Sequence, residues 1–287
     1  MVEAHIRQDP KDASAHFLLS QIRNAFGDHA TPLPLAEEAV ALDVQTAKYH
    51  RQVAEVLGVM AQHANAVQRL LLARRFRKAI DTALALDPRD VQALGDLMEF
   101  YLLAPWIAGG DRKQAEATAE QIAGIDAVEG WLAQARIAGF ENRTAEVETL
   151  LKRAADTHPP SYRASIALAR FHLAAGHSNL TAAESEAKAA LRLDRGRAEA
   201  HAILAEIYAE QSRWSALDSV LEDAAREVPD DLAAYYRTAE RLIAAGHDFE
   251  RAERCLGVYL AQEPEGNEPT LAEARRQLNR ARERASQ

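Results

Sequence analysis

The chain has 287 residues, of which 48% are hydrophobic and only 6% aromatic, and its formal net charge is −9. This length suits either two compact domains or one elongated array of repeats. The acidic balance argues against a nucleic-acid ligand, which usually needs a basic surface, and no apolar run reaches the ~20 residues that a membrane span needs.

The N-terminal stretch "MVEAHIRQDPKDA" has neither the apolar segment nor the cleavage site of a signal peptide. It has the form of one helix end followed by a new helix start. We therefore expect residues 1–10 to be the end of a preceding helix, with further residues upstream. An export signal could lie among those residues, so the sequence is compatible with a cytoplasmic or an exported protein.

Similar helix ends recur along the whole chain. The clearest copies are "ALALDPRD", "ALRLDRGR", "AAREVPDD" and "YLAQEPEG", near Pro88, Arg195, Pro229 and Pro264, with weaker copies near Pro10, Val44, Ala127 and Pro159. The successive intervals are 34, 44, 39, 32, 36, 34 and 35 residues. Each interval contains two stretches with apolar residues at helical spacing, and no stretch alternates as a strand would. The chain is predicted to be a series of helix pairs.

One interval shows the details of the pattern. In "AEAHAILAEIYAEQSRWSALDSVLEDAAREVP", residues 198–229, a first helix carries Ala200, Leu204 and Tyr208, and a second carries Leu217 and Leu221 before a closing proline. This pattern resembles the tetratricopeptide repeat (TPR). The resemblance implies an all-α solenoid of about seven helix-turn-helix repeats forming a superhelix over residues 11–264. Its repeats would end near residues 44, 88, 127, 159, 195, 229 and 264.

Small residues recur where the helices of such a repeat approach closely. We expect Ala39, Ala83, Ala154, Ala190 and Ala224 to lie there, because a larger side chain would overpack the contact. Residues 265–287 form a C-terminal capping helix with a narrow apolar stripe and an otherwise charged surface. Cys255 lies in an apolar helical pattern, which predicts a buried and unreactive thiol.

Two repeats are longer than the others. The second has about ten extra residues, which we interpret as an extension of both of its helices, and the third has five extra residues at "APWIAGG". The second helix of the long repeat, near 66–86, carries the basic run "RLLLARRFRK". That run is typical of a solvated helix face, and an acidic protein is the partner that it would suit.

The Gly-Gly pair in "APWIAGGDRK" has two possible interpretations. A glycine turn before a helix can hold a phosphate on the helix N-terminus, but neither GxGxxG nor GxxxxGK[ST] is present. In repeat register the pair occupies the turn between two helices, with Asp111 as the cap of the second. We favour this structural interpretation. Trp106 either folds back onto the array, which we favour, or contacts a partner.

The sequence contains no recognisable catalytic or metal-binding motif. There is no HExxH, no GxSxG and no histidine near the lone cysteine in sequence. His16, His50 and His201 occupy corresponding places in their repeats, as a structural role would predict. The expected protein is not an enzyme and needs no cofactor or metal.

The TPR resemblance implies a protein or peptide partner, because the first helices of such repeats line a concave groove that binds peptides or helices. Arg51, Arg163 and Arg170 are the best candidates for an anionic group of the partner. The full set of expected partner-binding residues is Lys48, Arg51, Glu55, Glu99, Trp106, Arg163, Arg170, Glu206 and Tyr236. The alternative is an enzyme or small-ligand carrier with a site at residues 105–113. An open groove favours the scaffold, and a pocket under the inserted residues favours the ligand site.

Overall fold

A computed structural model describes residues 2–26, 31–174, 176, 179–262 and 269–285. Every regular element among these residues is helical, with sixteen α-helices and one 3₁₀ turn at Trp106–Ala108. The α-helices are α1 (Val2–Gln8), α2 (Ala13–Ala25), α3 (Pro32–Leu42), α4 (Ala47–His63), α5 (Ala66–Leu86), α6 (Val91–Leu103), α7 (Arg112–Ile125), α8 (Ala127–Phe140), α9 (Thr144–Ala155), α10 (Tyr162–Leu173), α11 (Leu180–Leu193), α12 (Ala198–Glu210), α13 (Trp214–Glu227), α14 (Ala233–Ala245), α15 (Phe249–Leu260) and α16 (Leu271–Ala285). The contacts pair α2 with α3, α4 with α5, α6 with α7, α10 with α11, α12 with α13 and α14 with α15, and α16 packs on α15.

The contacts divide the chain into two compact units. Unit 1 is Met1–Leu150 and unit 2 is Leu151–Gln287, so the boundary falls within α9. None of the described helices combines the length and the apolar character that a membrane crossing requires.

The recurring Leu-Asp at the end of the repeats is a helix-ending signal. In four repeats the residue after the last helical residue is an aspartate with an extended backbone. Its side chain accepts a hydrogen bond from the backbone N–H two residues later. The aspartates are Asp43, Asp87, Asp126 and Asp194, and the distances are 2.9–3.1 Å. Such a side-chain turn competes with helix continuation and fixes where the next repeat begins.

The three equivalent histidines support the same turns. Nε2 of His16, His50 and His201 lies 3.0, 2.9 and 3.0 Å from a backbone carbonyl oxygen six residues earlier, at Pro10, Val44 and Arg195. All three side chains are buried. A ring nitrogen that donates to this carbonyl satisfies a backbone group that the turn leaves open. The predicted structural role of these histidines is confirmed.

The extended helix pair of unit 1 is α4 and α5, with 17 and 21 residues. The other paired helices have 11 to 14 residues. Asn65 begins α5 with a capping box that it forms with Gln68, which holds the tip of the hairpin in place. The unit 1 core centres on Leu57, Ile80 and Leu94. The predicted lengthening of both helices is confirmed.

Unit 2 has its own core and a covered end. Ile203, Leu217, Leu242 and Leu256 are almost fully buried within it. Helix α16 packs on α15 and α14 with a narrow stripe that includes Ala274 and Ala281, and Nη1 of Arg284 donates to the carbonyl oxygen of Ile243 at 2.7 Å. The predicted cap, residues 265–287, lies partly outside the described residues, and its described part forms α16 against α14 and α15.

The predicted close helix contacts are also present. Ala39, Ala83, Ala154 and Ala190 are fully buried and Ala224 is 1% exposed. Cys255 is buried, and its burial raises the pKa of the thiol to about 11. Because the thiolate is the reactive form, this thiol is unreactive at neutral pH.

Candidate functional site

The Gly-Gly pair forms a turn that depends on both glycines. Gly109 ends the 3₁₀ turn with φ +103°, a conformation that favours glycine. A Cβ on Gly110 would lie 1.8 Å from the carbonyl oxygen of Ala104, so only glycine fits. Asp111 then caps α7 by accepting from the backbone N–H groups of Lys113 and Gln114 at 2.9 and 3.3 Å. The predicted turn and cap are confirmed, and the N–H groups of a phosphate cradle are already occupied by Asp111.

The inserted segment exposes large apolar side chains. Trp106 is 85% exposed and Ile107 60%, and Leu103, the last residue of α6 before the segment, is 56% exposed. The favoured prediction that Trp106 folds back onto the array is therefore wrong. The turn is held by its backbone instead, because the N–H groups of Ala108 and Gly110 both donate to the carbonyl oxygen of Pro105, at 2.8 and 3.1 Å. This anchoring leaves the indole free of any packing role.

A cavity of about 680 Å³ lies beside this segment in unit 1. Its walls are the second half of α4, the first half of α5, the second half of α6 and the residues that follow α6. Most of the lining is apolar, including Leu57, Leu72, Phe76 and Phe100. Gly58 also lines it, and a Cβ there would meet only the Phe76 ring, at 3.8 Å. We call this feature the unit 1 cavity.

Three carboxylates line the unit 1 cavity, and they are differently paired. Glu99 binds Arg136 of α8 through two hydrogen bonds of 2.5 and 3.0 Å, and Glu55 accepts from the Asn24 amide at 3.2 Å. Asp96, by contrast, makes no hydrogen bond or ion pair with any residue that the structure describes. Burial raises the pKa of Asp96 to about 6, against a lowering effect of Arg51.

In unit 2 the corresponding surface of the first helices carries more arginine. Glu206 of α12 is half-buried, and its Oε2 lies 3.7 Å from Nη2 of Arg241 on α14. Arg241 also binds Glu210, and Arg237 binds Glu240 at 2.7 Å. Burial raises the pKa of Glu206, while the positive charges of Arg241, Arg237 and Arg170 lower it. The result is a surface of alternating charge.

Polar pairs connect successive first helices within each unit. In unit 1, Asn24 of α2 reaches Glu55 of α4, and Glu99 of α6 reaches Arg136 of α8. In unit 2, the Tyr162 hydroxyl of α10 donates to Glu199 of α12 at 3.2 Å, and Glu206 of α12 lies beside Arg241 of α14. Each unit thus presents a polar row along its first helices, which we call the first-helix face.

The structure places the predicted positive residues in different settings. Lys48 lies over the Phe17 and Tyr49 rings, 5.3 and 5.4 Å from their centroids, and remains exposed. Nε of Arg51 lies 3.1 Å from Oδ2 of Asp90, the cap of α6, so its charge holds two helices together. Arg163 and Arg170 are exposed on α10. Of the three predicted anion-binding arginines, Arg51 is therefore the least available.

Tyr236 does not lie on the first-helix face. It is 2% exposed, its ring lies 5.4 Å from that of Tyr259, and its hydroxyl is hydrogen-bonded to Gln277 of α16. In the last repeat, α16 covers this position. The equivalent residue of the second repeat is Arg51, whose side chain remains partly exposed to solvent. The prediction that Tyr236 contacts a partner is wrong for this reason.

The basic residues of α5 are largely paired. Arg69 donates to the carbonyl oxygens of Ala61 and Ala64, both at 3.2 Å. Arg75 binds Glu37, and Arg77 binds Asp81 and lies over the Tyr101 ring. These contacts are those of a solvated helix face.

The sequence interpretation missed Asp96, Arg237 and Arg241. Asp96 follows Gln92 by four residues and precedes Glu99 by three on α6, so the three residues share one helix face. The repeat register places Gln92 and Glu99 on the groove side, and it therefore also predicts that position for Asp96. Among the described residues, no three His, Cys, Asp or Glu side chains are close enough together to hold a metal ion.

Comparisons with known proteins identify the fold. No protein-family model matches the chain, and no curated protein matches its sequence. Among solved structures, yeast Tom70 is similar with a TM-score of 0.65 at 15% identity, covering 99% of this chain and 57% of Tom70. A tetratricopeptide repeat protein from Parabacteroides merdae has a TM-score of 0.50 at 12% identity, covering 98% of this chain and 90% of its own. This chain thus spans little more than half of Tom70.

Proposed function

We propose that this chain, which has the tetratricopeptide-repeat fold, is a non-catalytic interaction scaffold that binds a peptide or helix of another protein on its first-helix face. One observation carries the proposal: polar pairs join the successive first helices of each unit. A surface of mixed, regularly spaced charge suits an extended polypeptide better than a nucleic acid, which would favour a basic stripe.

Unit 2 supplies the residues that would recognise an acidic group of such a partner. Arg163 and Arg170 lie seven residues apart on α10, so they share a helix face and are separated by about 10 Å along its axis. Lys48 and Trp106 are exposed positions of unit 1 that a partner would also reach. Glu55, Glu99 and Glu206 would orient its basic groups.

The proposal is tested by site-specific photo-crosslinking in the native organism. A photoreactive phenylalanine analogue replaces Arg163 or Arg170 on α10, and as matched controls it replaces Ser219 or Glu222, which are exposed on the second helix α13. We expect the same partner to crosslink from both α10 positions and from neither α13 position. Equal crosslinking from α10 and α13 would contradict a first-helix partner surface.

A charge-reversal variant provides the independent readout. Arg163→Glu combined with Arg170→Glu should weaken capture of the crosslinked partner without lowering the melting temperature, because both side chains are exposed. Unchanged capture would remove these two arginines from the proposal.

A second candidate function follows from the unit 1 cavity, which lies next to residues 105–113 and is lined by Ala104, Pro105 and Ala108. A cavity of this size is within the range of small-ligand sites. Its mostly apolar lining with three carboxylates suits a small-ligand carrier.

A further inference from the structure

The unit 1 cavity exists because two insertions meet. The lengthened α4–α5 hairpin contributes the second half of α4 and the first half of α5, and the inserted residues after α6 contribute Ala104, Pro105 and Ala108. Small side chains at Gly58, Ala61 and Ala73 keep the space between these walls open. Both departures from the regular repeat therefore contribute walls to the same open cavity.

The charge of the cavity is negative and incompletely balanced. Glu99 has Arg136, and Glu55 has the Asn24 amide. The lining also includes Arg69, whose guanidinium donates to main-chain carbonyls at the end of α4, so three carboxylates face one positive charge in the lining; Arg51, outside the lining, binds Asp90. Asp96 faces this environment without an ion pair or hydrogen bond among the described residues.

We infer that the unit 1 cavity binds a hydrophobic organic cation, an ammonium or guanidinium group on an apolar body, with Asp96 as the counter-ion and the Phe76–Phe100 wall as the apolar contact. The two rings are stacked, with centroids 5.2 Å apart and an interplanar angle of 15°. An aromatic wall beside a carboxylate favours a cation through both charge and the ring quadrupole. The inference depends on the second candidate function above, and it specifies the ligand class.

Other ligand classes fit less well. A metal ion needs several ligands at once, and no described group of three carboxylate, histidine or cysteine side chains is close enough. An anion would meet three carboxylates, and Arg69, the cation of the lining, already donates to main-chain carbonyls. A neutral apolar molecule would leave the charge of Asp96 partly desolvated and unpaired, which is costly.

The site is tested with a matched pair of probes, phenylbutylammonium and phenylbutyrate, which have similar apolar bodies and opposite charge. Isothermal titration of the full chain near neutral pH should show saturable binding of the ammonium. The carboxylate should bind about ten-fold more weakly or worse, because it replaces a charge-assisted contact with repulsion. Equal affinity for both probes, or no saturable binding of the ammonium, would overturn the inference.

Two variants connect the binding to the cavity. Asp96→Asn keeps the shape of the side chain and should weaken the ammonium about ten-fold, the effect of one charge-assisted hydrogen bond. Gly58→Met should occupy the space beside the Phe76 ring and weaken binding of the ammonium at least about ten-fold. The matched control is Gly124→Met on α7, where a Cβ meets no atom within 4 Å and which does not line the cavity. A folded Asp96→Asn variant with wild-type affinity would also overturn the inference.

A competition experiment separates the two sources of such a cation. The photoreactive residue is placed at Leu103, which is exposed at the rim of the cavity, and crosslinking is repeated with saturating phenylbutylammonium. Loss of a crosslinked protein would assign the cation to a basic side chain of the partner, and retention would exclude that source and leave a free amine as the ligand class. Because the probe titration needs no partner, failure of the peptide scaffold proposal would leave its result unaffected.

Discussion

Units 1 and 2 are built from the same helix pairs, yet their first-helix faces differ in shape and charge. In unit 1 the face adjoins a cavity and carries a carboxylate, Asp96, without an ion pair among the described residues. In unit 2 the half-buried acid of α12 is Glu206, which corresponds in the repeat to Glu99 and not to Asp96, and it lies among Arg170, Arg237 and Arg241. The core pattern is shared, and the surface is where the two units differ.

The difference shows how an insertion creates a site in a repeat protein. Regular repeats place each first helix against its neighbours, so little space remains between them. Lengthening α4 and α5 to 17 and 21 residues extends the hairpin beyond the standard repeat, and the five residues inserted after α6 line the remaining space. An insertion can thus create a binding cavity in one repeat while the buried alanines of the array stay the same.

The largest expected effect tests whether the core is indeed shared. Ala224→Arg in unit 2 and Ala83→Arg in unit 1 each place a charged, bulky side chain at a fully buried position. We expect each to lower the free energy of unfolding by at least about 3 kcal/mol, through overpacking and loss of charge solvation. Urea denaturation measures the loss.

The matched control for this test is Ser219→Arg, at an exposed position of the same helix α13. It should change the free energy of unfolding by less than about 0.5 kcal/mol. An unaltered melt for Ala224→Arg would mean that the repeat register is wrong in unit 2, and the comparison of equivalent residues would fail with it.

The register was predictable from the sequence because it depends on local signals. Ala39, Ala83 and Ala224 are small because adjacent helices approach closely there. Asp43 and Asp194 end their helices by accepting hydrogen bonds with their own side chains. These effects act within a few residues or between adjacent helices, so the repeat pattern of the sequence is enough to predict them.

The first-helix face was only partly predictable, because it depends on what lies opposite each residue. Tyr236 is buried because α16 folds over it, and Trp106 is exposed because backbone hydrogen bonds already hold its turn. The cavity is a space between helices of unequal length, and the pattern of residues in the sequence does not predict it. The register places Asp96 on the groove side, but only the cavity, a tertiary feature, makes it a candidate site residue.

The next prediction concerns the turn that borders the cavity. Gly110→Ala would place a Cβ against the carbonyl oxygen of Ala104, so the turn must move. We expect a loss of about 2 kcal/mol in unfolding free energy. Gly124→Ala, in an open helix position of the same unit, should instead stabilise by about 0.5–1 kcal/mol. If both variants had the same effect, the glycine pair would not be required by close approach.

A smaller effect is expected from the pH dependence of Asp96. Its pKa of about 6 in the folded chain is above the ordinary value of 3.8, so the folded state retains the proton to higher pH. Stability therefore falls as pH rises from about 4 to about 6, and the loss is fully present above that range. Glu55, Asp90 and Glu99 contribute by raising the pKa, and Arg51 opposes them.

Asp96→Asn removes this penalty. The variant should be more stable than the wild type by about 1 to 2 kcal/mol near pH 7.5, since one pKa unit corresponds to ~1.4 kcal/mol, and the difference should shrink near pH 4.5. Glu206→Gln in unit 2 should give a smaller gain, because three arginines already compensate that charge. A larger gain for Glu206→Gln would reverse the proposed electrostatic difference between the units.

The smallest expected effect compares two tryptophans. Trp106→Ser should change the free energy of unfolding by less than about 0.5 kcal/mol, because the side chain is 85% exposed. Trp214→Ser should cost about 1–3 kcal/mol, because that half-buried ring lies 4.9 Å from the Arg251 guanidinium and makes an edge contact with His247. Urea titration followed by circular dichroism measures both without relying on tryptophan fluorescence.

If Trp106→Ser were as costly as Trp214→Ser, the indole would be part of the unit 1 core and unavailable to a partner. A neutral result, combined with reduced crosslinking at Leu103, would instead assign Trp106 to partner binding, because its removal would then affect the partner and not the fold.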